Sequence, residues 1–133
     1  MNSVLQQVGQ ISVGISNLER AVAFYRDVLR LKYLFWTGNM AFFDCSGVRL
    51  MLAMPEKPGQ AQSTSIIYFK VEDIEAAAAE LSARGVAFEA KPHLVAKMPN
   101  YQLWMAFFRD SEQNLMALMN EKVSAPQSTA PSV

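Results

Sequence analysis

Side chains able to do acid–base, nucleophilic or metal chemistry are few in this chain and far apart. It has one histidine, His93, and one cysteine, Cys45. A single imidazole excludes any site that needs two histidines from one chain, and a single thiol excludes an internal disulfide. An imidazole is the usual proton-transfer group near neutral pH. His93 lies between Pro92 and Pro99 in a stretch that reads as an irregular excursion, where functional side chains often sit. No carboxylate or hydroxyl is paired with it by spacing, so it reads as a solvent-exposed loop histidine. Cys45, beside Ser46-Gly47, has no activating base nearby and reads as a small packing hydrophobe. Asp110 and Glu112 fall in a turn, DSEQ, that their short polar side chains would stabilise. Gly9 and Gly14 lack the spacing of a phosphate cradle. No catalytic residue is assigned and no cofactor is expected.

Composition narrows the classes further. A chain of 133 residues, 51% hydrophobic, suits one domain with a sizeable core. Twelve basic and twelve acidic residues cancel without forming a basic stripe, which argues against a nucleic-acid partner. No apolar run approaches the roughly 18 residues of a membrane span, and MNSVLQQ lacks the apolar core of a signal peptide. The expectation is a cytoplasmic protein with no membrane partner. Eight methionines read mainly as core filler, with an adaptable pocket as the second reading.

The elements that must position these residues begin at Gln10. Ile11, Val13 and Ile15 alternate with Gln10, Ser12 and Gly14, the period of a half-buried strand. The period then changes to a helical stripe of Leu18, Ala21, Val22, Tyr25, Val28 and Leu29, with Ser16 or Asn17 as the cap. No glycine stands at Arg30, where a left-handed residue commonly closes a helix, and the substitution costs on the order of 1 kcal/mol. A meander of three strands follows: 32–37, 40–44 and 48–53, turning at Gly38-Asn39 and Ser46-Gly47. The strand–helix unit then recurs, with an apolar run 66–71, a cap at Glu72 or Asp73, and a stripe of Ile74, Ala77, Ala78 and Leu81 that stops at Gly85. The two caps, Ser16 and Glu72, are 56 residues apart (72 − 16), a duplicated unit within one domain. A strand is expected at 86–90, the irregular excursion at 91–100, and a final hairpin of 102–109 and 114–119. These boundaries divide a single domain, 1–120, into module one at 8–54, a linker at 55–64 and module two at 65–120. The tail 121–133, rich in Ser, Ala and Pro, is expected to be disordered. The fold class is α+β, two βαβββ modules with mixed sheets and helices on the outer face only.

Three segments, ISNLERAVAFYRDVLRL, FKVEDIEAAAAELSARGV and AFFRDSEQNLMAL, resemble the vicinal oxygen chelate superfamily of glyoxalase I, extradiol dioxygenases and bleomycin-resistance proteins. The resemblance implies that the two modules curl into a β-sheet cup, commonly completed in a homodimer. It also implies metal ligands, usually His or Glu, on the first and fourth strands of each module. Those positions fall on Gln10, Met51, Ile66 and Ala117, none of them a histidine or carboxylate. Neighbouring Leu50, Leu52, Met116 and Leu118 would serve no better, so no metal is expected.

Period-two alternation from Gln10 and Met51 then places Ser12, Arg49, Tyr68, Lys70, Trp104, Ala106, Phe108 and Met119 toward the cup. Gln10, Ser12, Arg49, Met51, Ile66, Tyr68, Trp104, Phe108 and Ala117 are the expected ligand contacts, apolar and aromatic with a few polar groups, the usual lining for a small organic molecule. Trp36 reads as core or interface. Three functions compete: a metal-free binder of a small, partly aromatic molecule, a metal-dependent enzyme of the glyoxalase or dioxygenase type, and a non-catalytic module whose cup is filled by side chains.

Overall fold

A computed structural model describes residues 4–55 and 65–123. The expected linker, apart from Pro55, and the tail beyond Val123 lie outside the described residues. The described chain forms two compact units. One runs to Ser65 and includes Ser111–Asn114, and the other comprises Ile66–Asp110 with the chain from Leu115 onward.

In the first unit, strand β1 (Gln10–Gly14) leads into helix α1 (Leu18–Ala23), a π-helical turn (Phe24–Val28), and strands β2 (Lys32–Thr37), β3 (Met40–Cys45) and β4 (Val48–Ala53). The sheet order is β1-β4-β3-β2, with β1 and β4 parallel and the other pairs antiparallel. Asn17 is the cap, its side chain accepting from the Arg20 N–H at 3.0 Å, which satisfies one of the helix's unbonded amides. The stripe read from sequence is buried at Ala21, Val22 and Tyr25, packed over Ala41, Phe43, Leu50 and Leu52. Tyr25 and Phe43 meet at 5.9 Å between ring centroids. The helix closes through Arg30 at φ +59, in the left-handed region that a side chain resists, even though no glycine stands there.

The second unit repeats the plan. Strand β5 (Ile67–Lys70) precedes helix α2 (Ile74–Ala83), then β6 (His93–Lys97), β7 (Tyr101–Arg109) and β8 (Leu115–Val123), in sheet order β5-β8-β7-β6. Asp73 caps α2 by accepting from the Ala76 N–H at 3.1 Å. The observed caps, Asn17 and Asp73, keep the 56-residue offset (73 − 17). Ile74, Ala78 and Leu81 of α2 are buried together with Ala106, Phe108, Met116 and Leu118 of the sheet.

Two expectations about this unit are corrected. The sixth strand is His93–Lys97, not 86–90, where only Phe88 bridges to Phe108. An edge strand tolerates flanking prolines because one side of its ladder is unpaired, so Pro92 and Pro99 bracket β6 without breaking it. Glu121, Lys122 and Val123, assigned to the tail by composition, extend β8, paired with Leu103, Gln102 and Tyr101.

Candidate functional site: the helix-free sheet faces

Each sheet has one face under its helix and one that its helix leaves free. In the first unit the register aligns cross-strand rows on the free face. Ser12, Met51, Phe42 and Phe35 make one row, and Gln10, Arg49, Asp44 and Lys32 the next. Gln10 and Met51, assigned to a ligand pair by resemblance, are in contact: Gln10 Nε2 donates to Met51 Sδ at 3.7 Å. Phe35 and Phe42 stack with centroids 4.5 Å apart, and the Arg49 guanidinium lies 5.8 Å from the Phe42 ring centre. Asp44, directly opposite Arg49, is not its ion-pair partner; Asp44 Oδ1 accepts from the Gly47 N–H at 3.2 Å. Trp36 pairs with Ala41 on the other face and is 43% exposed.

In the second unit the free face carries Tyr68 and Lys70 of β5, Ala117, Met119 and Glu121 of β8, and Leu103, Met105 and Phe107 of β7. Ile66, just ahead of β5, has the same parity. Tyr68 and Phe107 flank Ala117 in the register and meet edge-on at 6.1 Å, leaving Ala117 with no exposed surface. Lys70 Nζ is 3.4 Å from Glu121 Oε1, so its charge is answered locally.

Trp104, Ala106 and Phe108 do not share that face, which corrects their expected orientation. Asn120, opposite Trp104, turns toward α2, where its Oδ1 accepts from the buried Ile74 N–H at 3.0 Å. Lys122 Nζ lies 4.3 Å from the Trp104 ring centre and pairs with Glu75 of α2 at 2.8 Å. Phe108 is fully buried against Phe88 at 5.4 Å. The cause is one residue in the turn. Sequence reading starts the return strand at Asn114, whereas Arg109 pairs with Leu115 and Asn114 stays in the turn, its Nδ2 donating to Gly14 O at 2.9 Å. A shift of one residue moves a strand's whole side-chain set to the opposite face. Phe107 therefore takes the place expected of Phe108.

Sequence reading also missed Glu112, which does more than stabilise its own turn. Only 2% exposed, it accepts through Oε1 from the Ser16 N–H, the Ser16 hydroxyl and the Asn17 N–H, each at 2.9 Å. Arg20 Nε donates to its other oxygen at 2.7 Å. Burial alone would raise its pKa, but the Arg20 hydrogen bond, the two backbone N–H groups and the Ser16 hydroxyl outweigh burial and lower it to about 2. This carboxylate is an anchor for the start of α1. No pattern within the turn marks this role, because the partners that tie it to the helix start, Ser16, Asn17 and Arg20, are more than 90 residues away.

His93 opens β6, exposed, with Nδ1 3.1 Å from Lys91 O. Cys45 is half-buried, and burial together with the neighbouring Asp44 raises its thiol pKa, as suits a packing residue. An open groove of about 560 Å³ runs along the start of α2, but its charged walls include the Lys122–Glu75 and Lys70–Glu121 pairs, which satisfy each other.

The donors at the resemblance-assigned positions do not suit a metal. A divalent ion takes several N, O or S ligands of matched hardness. Gln10 offers a neutral amide oxygen beside the soft Met51 thioether, while Ile66 and Ala117 offer no side-chain donor. Among the described residues no three His, Cys, Asp or Glu side chains converge. Nor, among them, is any helix long and apolar enough to cross a membrane.

Comparison with known proteins agrees with this layout. The uncharacterized protein YraH of Bacillus subtilis is 29% identical over 123 residues, covering 82% of this chain and 94% of YraH. The crystal structure of lactoylglutathione lyase from Agrobacterium tumefaciens superposes with a TM-score of 0.71 at 20% identity, covering 89% of this chain and 96% of that one. TnmS3, an antibiotic binding protein from Streptomyces sp. CB03234, does so at 0.67 and 22%, covering 92% of this chain and all of the other. Both structural likenesses concern the fold alone. The model of the Glyoxalase/Bleomycin resistance protein/Dioxygenase superfamily matches residues 7–118, and the chain belongs to that superfamily.

Proposed function

We propose that this protein is a metal-free binder of a small, partly aromatic organic molecule, held on the helix-free faces of its sheets. On the first sheet the contacts come from Gln10, Ser12, Arg49 and Met51; on the second, Ile66 and Tyr68, with Phe107 in the role first assigned to Phe108, offer a face of the same kind. The observation that carries this reading is the Gln10–Met51 contact at 3.7 Å, an amide and a thioether where metal-dependent relatives are expected to carry His or Glu ligands. Apolar and aromatic surface with a few polar groups favours burying an organic ring and orienting it by one or two hydrogen bonds. An antibiotic binding protein of similar fold is a precedent for binding, and a lyase of similar fold is the precedent for the alternative, a metal-dependent enzyme.

The test is a thermal-shift and NMR screen of planar aromatic compounds with and without a chelator, alongside elemental analysis of the purified protein. Binding unaffected by the chelator supports the reading. A stoichiometric transition metal, or loss of binding on chelation, overturns it in favour of the enzyme.

The reading extends to a cytoplasmic homodimer. Tyr33, Leu34 and Trp36 of edge strand β2 are 38%, 38% and 43% exposed, an apolar edge that favours a second copy. Light scattering checks it, with twice the chain mass expected, and cell fractionation checks the compartment.

A further inference from the structure

We infer that the free face of the first sheet carries an anion-anchoring subsite, so that the ligand class is a planar aromatic carboxylate. Arg49 grips the carboxylate and the Phe35–Phe42 pair stacks on the ring. The inference rests on the proposed function and specifies it.

The charge pattern is the first support. The row Gln10–Arg49–Asp44–Lys32 holds two cations and one anion. The one carboxylate is engaged by the Gly47 N–H, and among the described residues Arg49 enters no ion pair. On the free face of the other sheet, Lys70 is paired with Glu121 and Arg109 with Glu89, so the unanswered guanidinium is particular to the first. A guanidinium presents a planar fork matched to a carboxylate's two oxygens.

The aromatic platform is the second. Phe42 is 8% exposed beneath its neighbours, while Phe35, stacked on it at 4.5 Å, is 44% exposed. The stack therefore offers an open ring with a fixed orientation, and the guanidinium lies 5.8 Å from the centre of the buried one. An aromatic acid satisfies both at once: its ring extends the stack, its carboxylate meets Arg49, and Met51 adapts to the ring edge. A neutral ring leaves the guanidinium to water, and an aliphatic acid leaves the platform uncovered.

The probes that test this are 1-naphthoate, its neutral counterpart 1-naphthalenemethanol and cyclohexanecarboxylate, titrated into the full chain and followed by amide NMR shifts. Naphthoate is expected to bind about tenfold more tightly than either of the others, the scale of one partly exposed charge-assisted contact. Its shifts should centre on Phe35, Phe42, Arg49 and Met51. Arg49→Gln should lower naphthoate affinity to that of the alcohol, with Arg49→Lys in between. If Arg49→Gln does not fold, the wild type still decides, because added salt should weaken naphthoate far more than the alcohol. Equal affinity for naphthoate and the alcohol, or naphthoate shifts away from those four residues, overturns the subsite and leaves the broader binding reading intact. Failure of all three probes to bind at millimolar concentration overturns both.

Discussion

Arg20 and Glu112 stand 92 residues apart in the chain, yet Arg20 Nε donates to Glu112 Oε2 at 2.7 Å while the other carboxylate oxygen takes the Ser16 and Asn17 amides. The carboxylate replaces water at the first turn of α1 and neutralises the guanidinium beside it. Its side chain has no exposed surface, so losing the charge leaves buried donors mismatched. Glu112→Gln keeps one acceptor but turns an NH2 toward donors. It should cost about 2–3 kcal/mol in denaturant unfolding, more than any surface pair here.

The same group sets an acid limit. Its folded pKa of about 2 lies below the ordinary glutamate value of 4.5, so its contribution is complete above the unfolded pKa and lost as pH falls through the folded one. That difference corresponds to about 3 kcal/mol. Stability should be flat in this respect above about pH 5.5 and decline between about 4.5 and 2, and Glu112→Gln should flatten that decline. Urea midpoints measured across pH for both proteins give the comparison.

Arg30 holds φ +59, a conformation that glycine adopts without the Cβ clash. Arg30→Gly should therefore raise stability by about 0.5–1 kcal/mol, the strain relieved less the added freedom of the unfolded chain. A fall in the unfolding midpoint would contradict this account of how the helix closes.

Phe107 and Phe108 are adjacent but face opposite sides of the second sheet. Phe108 is fully buried, and Phe108→Ala should cost about 3–5 kcal/mol. Phe107→Ala should cost far less and instead weaken aromatic ligands. Parallel unfolding and titration of both variants separate the faces, and the reverse ranking would mean that the register has slipped.

How much of this was legible in the sequence varies by element. The strand–helix repeat and the first meander follow from local patterns, because period-two and helical stripes, caps and tight turns are written in neighbouring residues. The poverty of metal donors at Gln10, Met51, Ile66 and Ala117 also belongs to the sequence, since no folding can supply an imidazole that is absent. The last hairpin was different. Trp104, Ala106, Phe107 and Phe108 form a nearly unbroken apolar run with no alternation to reveal its inner side, so its facing depended on whether Asn114 joined the ladder or the turn. That choice is made by a hydrogen bond to Gly14 O, a partner 100 residues away. Glu112 was missed for the same reason, its donors being supplied by a distant helix start. Local periodicity determines the elements, whereas facing and buried charge depend on long-range partners that only the tertiary structure brings within hydrogen-bonding distance.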